Sequence, residues 1–332
     1  MAQNWTLQSF TESARTWTIP RTLHIACHLN LFDGIPPDGI DARKLAFSME
    51  LHTRALEVFC NALTSLELLE KRKEKYFLTD FSKKYLLSSS EYYIGYLIKH
   101  QYELMASWMD FEKVLKTGKP VNTLMNMAKK PDEAKLFTLT MHTISALAAP
   151  KIVKLVDLSP YHKLLDIGGG PGTYAIHFCK EYPQLLGAVL DLPAVLSVSK
   201  DIVKKYGMSA RFSFIPANYN RDPLPQGYDV ALLSNIIHIE SHEMNGQLIK
   251  KVYDSLKSPG LIIIQDYMMN QELTEPTDAA LFALTMLIKT EKGRCYSFNE
   301  VENWLSYAGF KNIREIKPTL PERRATLILG YK

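Results

Sequence analysis

The chain has 332 residues, 46% of them hydrophobic and 22% charged, with a formal net charge of +4. This composition supports a large core, points to two domains and excludes disorder; the charge is spread evenly, with 18 Lys and Arg against 16 Asp and Glu in residues 1–150, and names no acidic partner. No apolar run reaches the roughly 18 residues of a membrane span, and Cys27, Cys60, Cys179 and Cys295 are isolated, so a cytoplasmic protein without metal or disulfide is expected.

Up to about residue 150 the apolar spacing is helical and mixed. TWTIPRTLHIACHLNLFDGI reads as a helix, Pro36-Pro37-Asp38-Gly39 as a turn, and Asp41 as the cap of the next helix. LHTRALEVFCNALTSLELLEKRKEKYFLTDFSKKYL follows as an apolar helix, a charged hairpin and a short helix, an arrangement like a winged helix. A recognition helix needs basic or amide side chains for base edges and phosphates, but Arg54 is the only Arg or Lys between Leu51 and Leu69, so nucleic-acid binding is not expected. The apolar helices around Leu23, Ile25, Leu29 and Leu31 have little else to bury against and suit a dimer interface.

A domain boundary is expected near Pro150 to Lys163, giving a helical domain over 1–150 and an α/β domain over 151–332. In the latter, strands are predicted at Lys163–Ile167, Leu186–Leu190, Ala210–Ile215, Asp229–Leu233 and Leu261–Gln265, with another near residues 323–331. Alternation with helices is the signature of a doubly wound parallel sheet, which binds ligands beyond the carboxyl ends of its strands. The residues there are Gly168, Asp191, Asn218, Ser234 with His238, and Asp266.

The strand Lys163–Ile167 runs into Gly168, Gly170 and Gly172. A dinucleotide fingerprint would place a glycine at position 173, where this chain has Thr173. Nineteen residues after Gly172, the run LLGAVL ends in Asp191, whose carboxylate can accept from two ribose hydroxyls. The combination fits an adenosine ligand without a pyrophosphate, such as S-adenosylmethionine.

LLDIGGGPGTYAIHFCKEYPQLLGAVLDLPAVL, followed by YDVALLSNIIH and a closing YAGF, resembles the S-adenosylmethionine-dependent small-molecule O-methyltransferases of the caffeate, acetylserotonin and bacterial natural-product type. The resemblance covers nearly the whole chain. It implies a Rossmann-like sheet with a winged-helix-like N-terminal dimerisation domain, a homodimer, and S-adenosylhomocysteine as product.

By position, the resemblance assigns Asp166, Gly168, Gly170, Gly172, Asp191, Leu192, Asn218, Tyr219, Ser234 and Ser145 to the cofactor, with Leu192 covering the adenine. Asn218 stands where the family has an adenine-binding Asp. It assigns His238 as general base, Asp266 as the carboxylate that orients it, and Phe137, Met141, Met286 and Thr290 to the acceptor pocket. His238-Ile239-Glu240 replaces His-Asp-Trp, and Cys295 replaces a second orienting glutamate. A phenol with a pKa near 10 needs a positioned base at neutral pH, and histidine titrates in the right range. The alternatives are carbon, nitrogen or sulfur as methyl acceptor, a relative that keeps the cofactor but decarboxylates or hydroxylates, and a non-catalytic S-adenosylmethionine-binding regulator.

Overall fold

The structure is a computed structural model and describes residues 5–121, 123, 130–318 and 325–332. The chain divides into two compact units between Ala106 and Ser107. This lies well before the expected boundary near residue 150, because the long helix ending at Ile152 packs on helices of the α/β unit.

The first unit begins with α1 (Leu7–Arg15), closed by a capping box between Thr6 and Ser9, and α2 (Thr18–His28). The turn at Pro36 to Gly39 leads into β1 (Ile40–Asp41) and α3 (Ala42–Ser48), capped as expected by Asp41 accepting from the Lys44 amide. In α4 (Thr53–Ser65), Leu56, Cys60 and Leu63 recur at helical spacing and face the core. The hairpin β2 (Leu69–Arg72) and β3 (Lys75–Leu78) then joins β1 in a three-stranded antiparallel sheet of order β1-β3-β2. The short α5 (Asp80–Tyr85) and α6 (Gly95–Met109) follow. Leu31 departs from expectation: it is wholly buried in this unit's own core beside Phe32 and Leu45, and so is closed to a partner. The exposed apolar surface lies earlier, at Leu7, Phe10, Trp17 and Ile19.

The second unit opens with α7 (Phe111–Thr117), ended by Gly118 at φ 65°, and α8 (Pro131–Ile152). α8 and its short continuation to Leu155 are long and apolar enough to cross a membrane, a feature the sequence reading missed because polar residues break up its apolar run. Here Ala134, Thr138, Ala148, Ala149 and Ile152 are buried, and the helix packs on α9 (Thr173–Glu181) and α10 (Pro193–Lys205).

The main sheet consists of β4 (Lys163–Ile167), β5 (Leu186–Asp191), β6 (Phe212–Pro216), β7 (Tyr228–Ser234) and β8 (Leu256–Asp266), with later antiparallel strands β11 (Lys311–Ile316) and β12 (Thr326–Tyr331). Its order is β11-β12-β8-β7-β4-β5-β6, and the five strands β4 to β8 are parallel. The chain leaves β4 on one side for β5 and β6 and returns on the other at β7, which opens a crevice at the carboxyl ends of β4 and β7. Both faces are covered: Val230, Leu232, Leu261 and Ile263 join one core layer, and Ala231, Leu233, Ile262 and Ile264 the other. The remaining elements are α11 (His242–Ser255), β9 (Met268–Met269), α12 (Thr277–Lys289), β10 (Tyr296–Ser297) and α13 (Phe298–Ala308). The strand predicted near 323–331 is β12; positions 323 and 324 lie outside the described residues.

Candidate active site

The turn after β4 holds Gly168, Gly170 and Gly172 at φ 63°, 53° and 71°, a region that side chains rarely adopt. Their surroundings differ. A Cβ on Gly168 would lie 2.5 Å from Ile236 Cδ1 and one on Gly172 2.9 Å from Val189 Cγ2, whereas one on Gly170 would meet nothing within 4 Å. The first and third glycines therefore serve packing, and the second leaves its backbone open to a ligand. Gly169, which sequence reasoning passed over, is required for a different reason: its Cβ would sit 2.5 Å from Cγ of Asp166.

Asp191, at the end of β5, braces this turn. Its Oδ2 accepts from the Gly170 amide at 2.8 Å and its Oδ1 from the Leu192 amide at 2.7 Å, and each oxygen keeps lone-pair capacity for a hydroxyl. Burial raises its pKa, with the two amides pulling the other way. Asp166 is 2% exposed, its Oδ1 has no hydrogen-bond partner, and burial together with the Asp191 charge pushes it up to about 8. Leu192 is half-buried and leads into α10.

Beyond β6, Ala217 is tied to Asp191 by its amide at 3.1 Å. Asn218 Oδ1 accepts from the Asn220 amide at 3.0 Å, so one lone pair of the expected adenine acceptor already holds a turn. Tyr219 donates to Glu240 at 2.9 Å, and its ring lies 3.2 Å from where a Gly168 Cβ would stand.

At the ends of β7 and β8, Ser234 donates to the buried Gln265 at 2.9 Å, and Gln265 in turn donates to Tyr174 OH at 2.9 Å. His238 stands in a short 3₁₀ turn after β7 and is 6% exposed. Its Nδ1 lies 2.7 Å from Oδ1 of the buried Asp266, whose Oδ2 accepts from the His238 amide at 3.3 Å. A carboxylate only accepts, so this contact favours the hydrogen on Nδ1, the tautomer that in a neutral imidazole leaves the lone pair on Nε2. Phe282 meets the imidazole edge-to-face at 5.0 Å and packs against Tyr267 at 4.5 Å, an aromatic wall that the sequence reading missed. Only the i, i+4 apolar spacing of α12 could have signalled it.

Cys295 is buried, and its thiol is pushed up to about 12 by burial first and the Asp266 charge second, so it stays protonated. Phe137 and Met141 are half-buried on α8, with Ser145 buried one turn further on. Met286 and Thr290 are buried at the end of α12, where Thr290 donates to the Met286 carbonyl and accepts from the Gly293 amide. A Cβ on Gly293 would lie 2.4 Å from the His238 carbonyl, so this loop lies directly against the histidine turn. His142, not singled out by sequence reasoning, has its Nδ1 2.8 Å from Thr173 Oγ1 and joins α8 to the first residue of α9. Among the described residues no group of three or more His, Cys, Asp or Glu is placed to hold a metal ion.

The carboxyl ends of the parallel strands thus carry a glycine turn braced by the Asp191 carboxylate and a histidine–carboxylate pair, His238 with Asp266. Residues 105–311 match the O-methyltransferase domain and residues 11–88 the O-methyltransferase dimerisation domain, and the chain belongs to the S-adenosylmethionine-dependent O-methyltransferase family. It is 30% identical to a 3-hydroxy-5-methyl-1-naphthoate 3-O-methyltransferase of Streptomyces sahachiroi, over 91% of this chain and 88% of that one. An L-tyrosine C(3)-methyltransferase of Streptomyces lavendulae is 26% identical, over 87% and 82%. An O-methyltransferase family protein of Burkholderia thailandensis shares the fold with a TM-score of 0.88 at 22% identity, covering 99% and 98% of the two chains.

Proposed function

We propose that this methyltransferase transfers the methyl group to a hydroxyl of a small aromatic metabolite, with His238 as general base. The observation that carries this reading is the 2.7 Å contact between His238 Nδ1 and Asp266 beside Phe282 and Tyr267. The crevice fits the cofactor: Gly170 is open, Asp191 retains acceptor capacity, and buried Asp166 Oδ1 lacks a partner. S-adenosylmethionine supplies, when bound, a methyl made electrophilic by its sulfonium.

The protein's own residues do the rest. Asp266 fixes the imidazole tautomer so that Nε2 takes the acceptor's proton, and its negative charge then stabilises the imidazolium. The apolar walls hold the ring and exclude water, so that the acceptor oxygen is presented in one orientation. Asp191 binds the ribose, Leu192, Asn218 and Tyr219 flank the adenine, and Ser145 and Ser234 complete the cofactor's surroundings. Phe137, Met141, Met286 and Thr290 shape the acceptor site. Assembly as a homodimer is supported by the matched dimerisation domain and the exposed Leu7, Phe10, Trp17 and Ile19. A cytoplasmic location is in keeping with four free, buried cysteines.

The test is a screen of hydroxynaphthoates, phenols and quinols for S-adenosylhomocysteine release, with NMR locating the new methyl. A methylated oxygen supports the reading and a methylated ring carbon replaces it. The carbon outcome has a motive of its own in the tyrosine C-methylating relative. Cofactor binding with no turnover on any acceptor would instead favour a regulator.

A further inference from the structure

The glycine turn and the start of α9 are tied to α10, β8 and α8 by side chains that have no part in the proposed methyl transfer. Ser199, wholly buried on α10, donates to the Gly170 carbonyl, and Tyr174 OH accepts from Gln265, the residue before Asp266, at 2.9 Å. The third tie is the contact of His142 Nδ1 with Thr173 Oγ1 at 2.8 Å. Thr173 is 2% exposed and follows directly on Gly172, so its hydroxyl takes its position from the glycine turn. Burial holds the His142 pKa down to about 4, so at pH 7 the ring is neutral, with one nitrogen to donate and one to accept.

His142 stands in the stretch of α8 that carries the side chains assigned to both ligands. Met141 precedes it, Phe137 lies one turn before Met141, and Ser145 lies one turn after His142. Tyr206, at the end of α10, meets the His142 ring edge-to-face at 5.7 Å and the His177 ring of α9 at 5.8 Å, with Lys180 over its own ring at 4.7 Å. The imidazole is therefore gripped where α8 packs on α9 and α10. A helix that shifts carries its side chains with it, and misplacing reacting groups by about 1 Å can cost about 100-fold in rate. We infer that His142 is a positioning residue: through Thr173 it locks α8 to the cofactor turn, so that filling the turn with cofactor orders the acceptor wall around Phe137 and Met141 before the acceptor arrives. The inference rests on the methyltransferase reading.

Hydrogen exchange read by mass spectrometry, with and without saturating S-adenosylhomocysteine, tests it and needs no acceptor. In the wild-type protein the ligand is expected to slow exchange in the glycine turn and also, by about 3- to 10-fold, at the α8 amides of residues 136–142, upstream of Ser145. Thr173→Val keeps the shape of the side chain and removes the hydroxyl; the ligand should still slow the turn but change those α8 amides by less than about twofold. Thr173→Ser, which restores the hydroxyl, and His142→Asn, whose amide stands where Nδ1 stood, should keep the wild-type response. Each protein is compared with itself, so a general loss of stability does not imitate the result. The inference is overturned, with the methyltransferase reading intact, if the α8 response survives in Thr173→Val, is lost as fully in Thr173→Ser, or is absent from a wild-type protein whose turn is protected. Failure of the wild-type protein to bind S-adenosylhomocysteine at all overturns both.

Discussion

His238 and Asp266 are adjacent only because β7 and β8 are parallel neighbours, yet their roles separate experimentally. His238→Ala is expected to lower turnover by about 10² to 10⁴ with S-adenosylhomocysteine affinity unchanged. Asp266→Asn should lower it less, because the base remains and only its orientation suffers; acceptors already ionised should be least affected by either change. Asp166 makes the opposite kind of prediction. Its pKa near 8 lies above its unfolded value, so the folded state holds a proton that the unfolded chain releases. Its stabilising contribution is therefore complete below about pH 4 and lost as pH rises through 8, by up to about 1.4 kcal/mol per unit. Asp166→Asn should raise the melting midpoint at pH 8 more than at pH 5, while weakening cofactor binding; equal shifts at both pH values would remove the argument. The sequence displayed His238, Asp191 and the glycines because each follows an apolar strand. It hid Phe282 and His142, whose significance lies in partners 44 and 31 residues away, His238 and Thr173.

A similar division runs through the elements. The central strands were readable because, buried on both faces, they are short apolar runs ending in glycine or polar residues. β4 begins and ends where expected, while β8 starts at Leu256, five residues earlier than the apolar run suggests: Leu256 pairs with Tyr228, and the register then shifts past Lys257 to Gly260 before Leu261 pairs with Val230. β11 was not foreseen: its Lys311, Asn312, Arg314 and Glu315 read as surface, as suits an edge strand that pairs only with β12. The glycine turn allows a test at this scale. Gly168→Ala and Gly169→Ala should lower stability, because Ile236 and Asp166 occupy the space the new methyl needs. Gly170→Ala carries only the left-handed backbone cost of about 1 kcal/mol, but its methyl projects into the open crevice, so it should lose S-adenosylhomocysteine affinity while keeping most of its melting temperature. If all three variants lose stability and affinity in the same proportion, the turn has no dedicated ligand side.

Across the whole molecule, half-buried imidazoles oppose the buried Asp166. His142 and His177 are held down to about 4, mainly by burial, with Lys205 acting on the first and Lys180 on the second. Because the unfolded chain binds protons that these rings refuse, their stabilising contribution is complete above about pH 6.5 and lost as pH falls to 4, by up to about 1.4 kcal/mol per unit for each ring. Between pH 4 and 6.5 two histidines outweigh Asp166, and above 6.5 Asp166 acts alone, so these three groups place the stability maximum near pH 6.5. Chemical denaturation across this range should show it, and His142→Asn with His177→Gln should flatten the acid side. Assembly is a separate matter of surface: Leu7→Glu with Trp17→Glu should turn a dimer seen by light scattering into a monomer without unfolding the first unit, whose core these residues do not enter.

The seating of β12 between β8 and β11 sets the order of events in time. β8 carries Asp266, but the neighbour on its outer side is supplied by residues 326–331, so the pairing spans some sixty positions of chain. Thr326 stands directly opposite Asp266 in that register. Long-range strand pairing of this kind is slow. During refolding the glycine turn and β5 can therefore form early and bind nucleoside, while the carboxylate that aligns His238 is still on an open edge. Competence to bind the cofactor should return before competence to turn over substrate, a lag that stopped-flow fluorescence and activity recovery can separate.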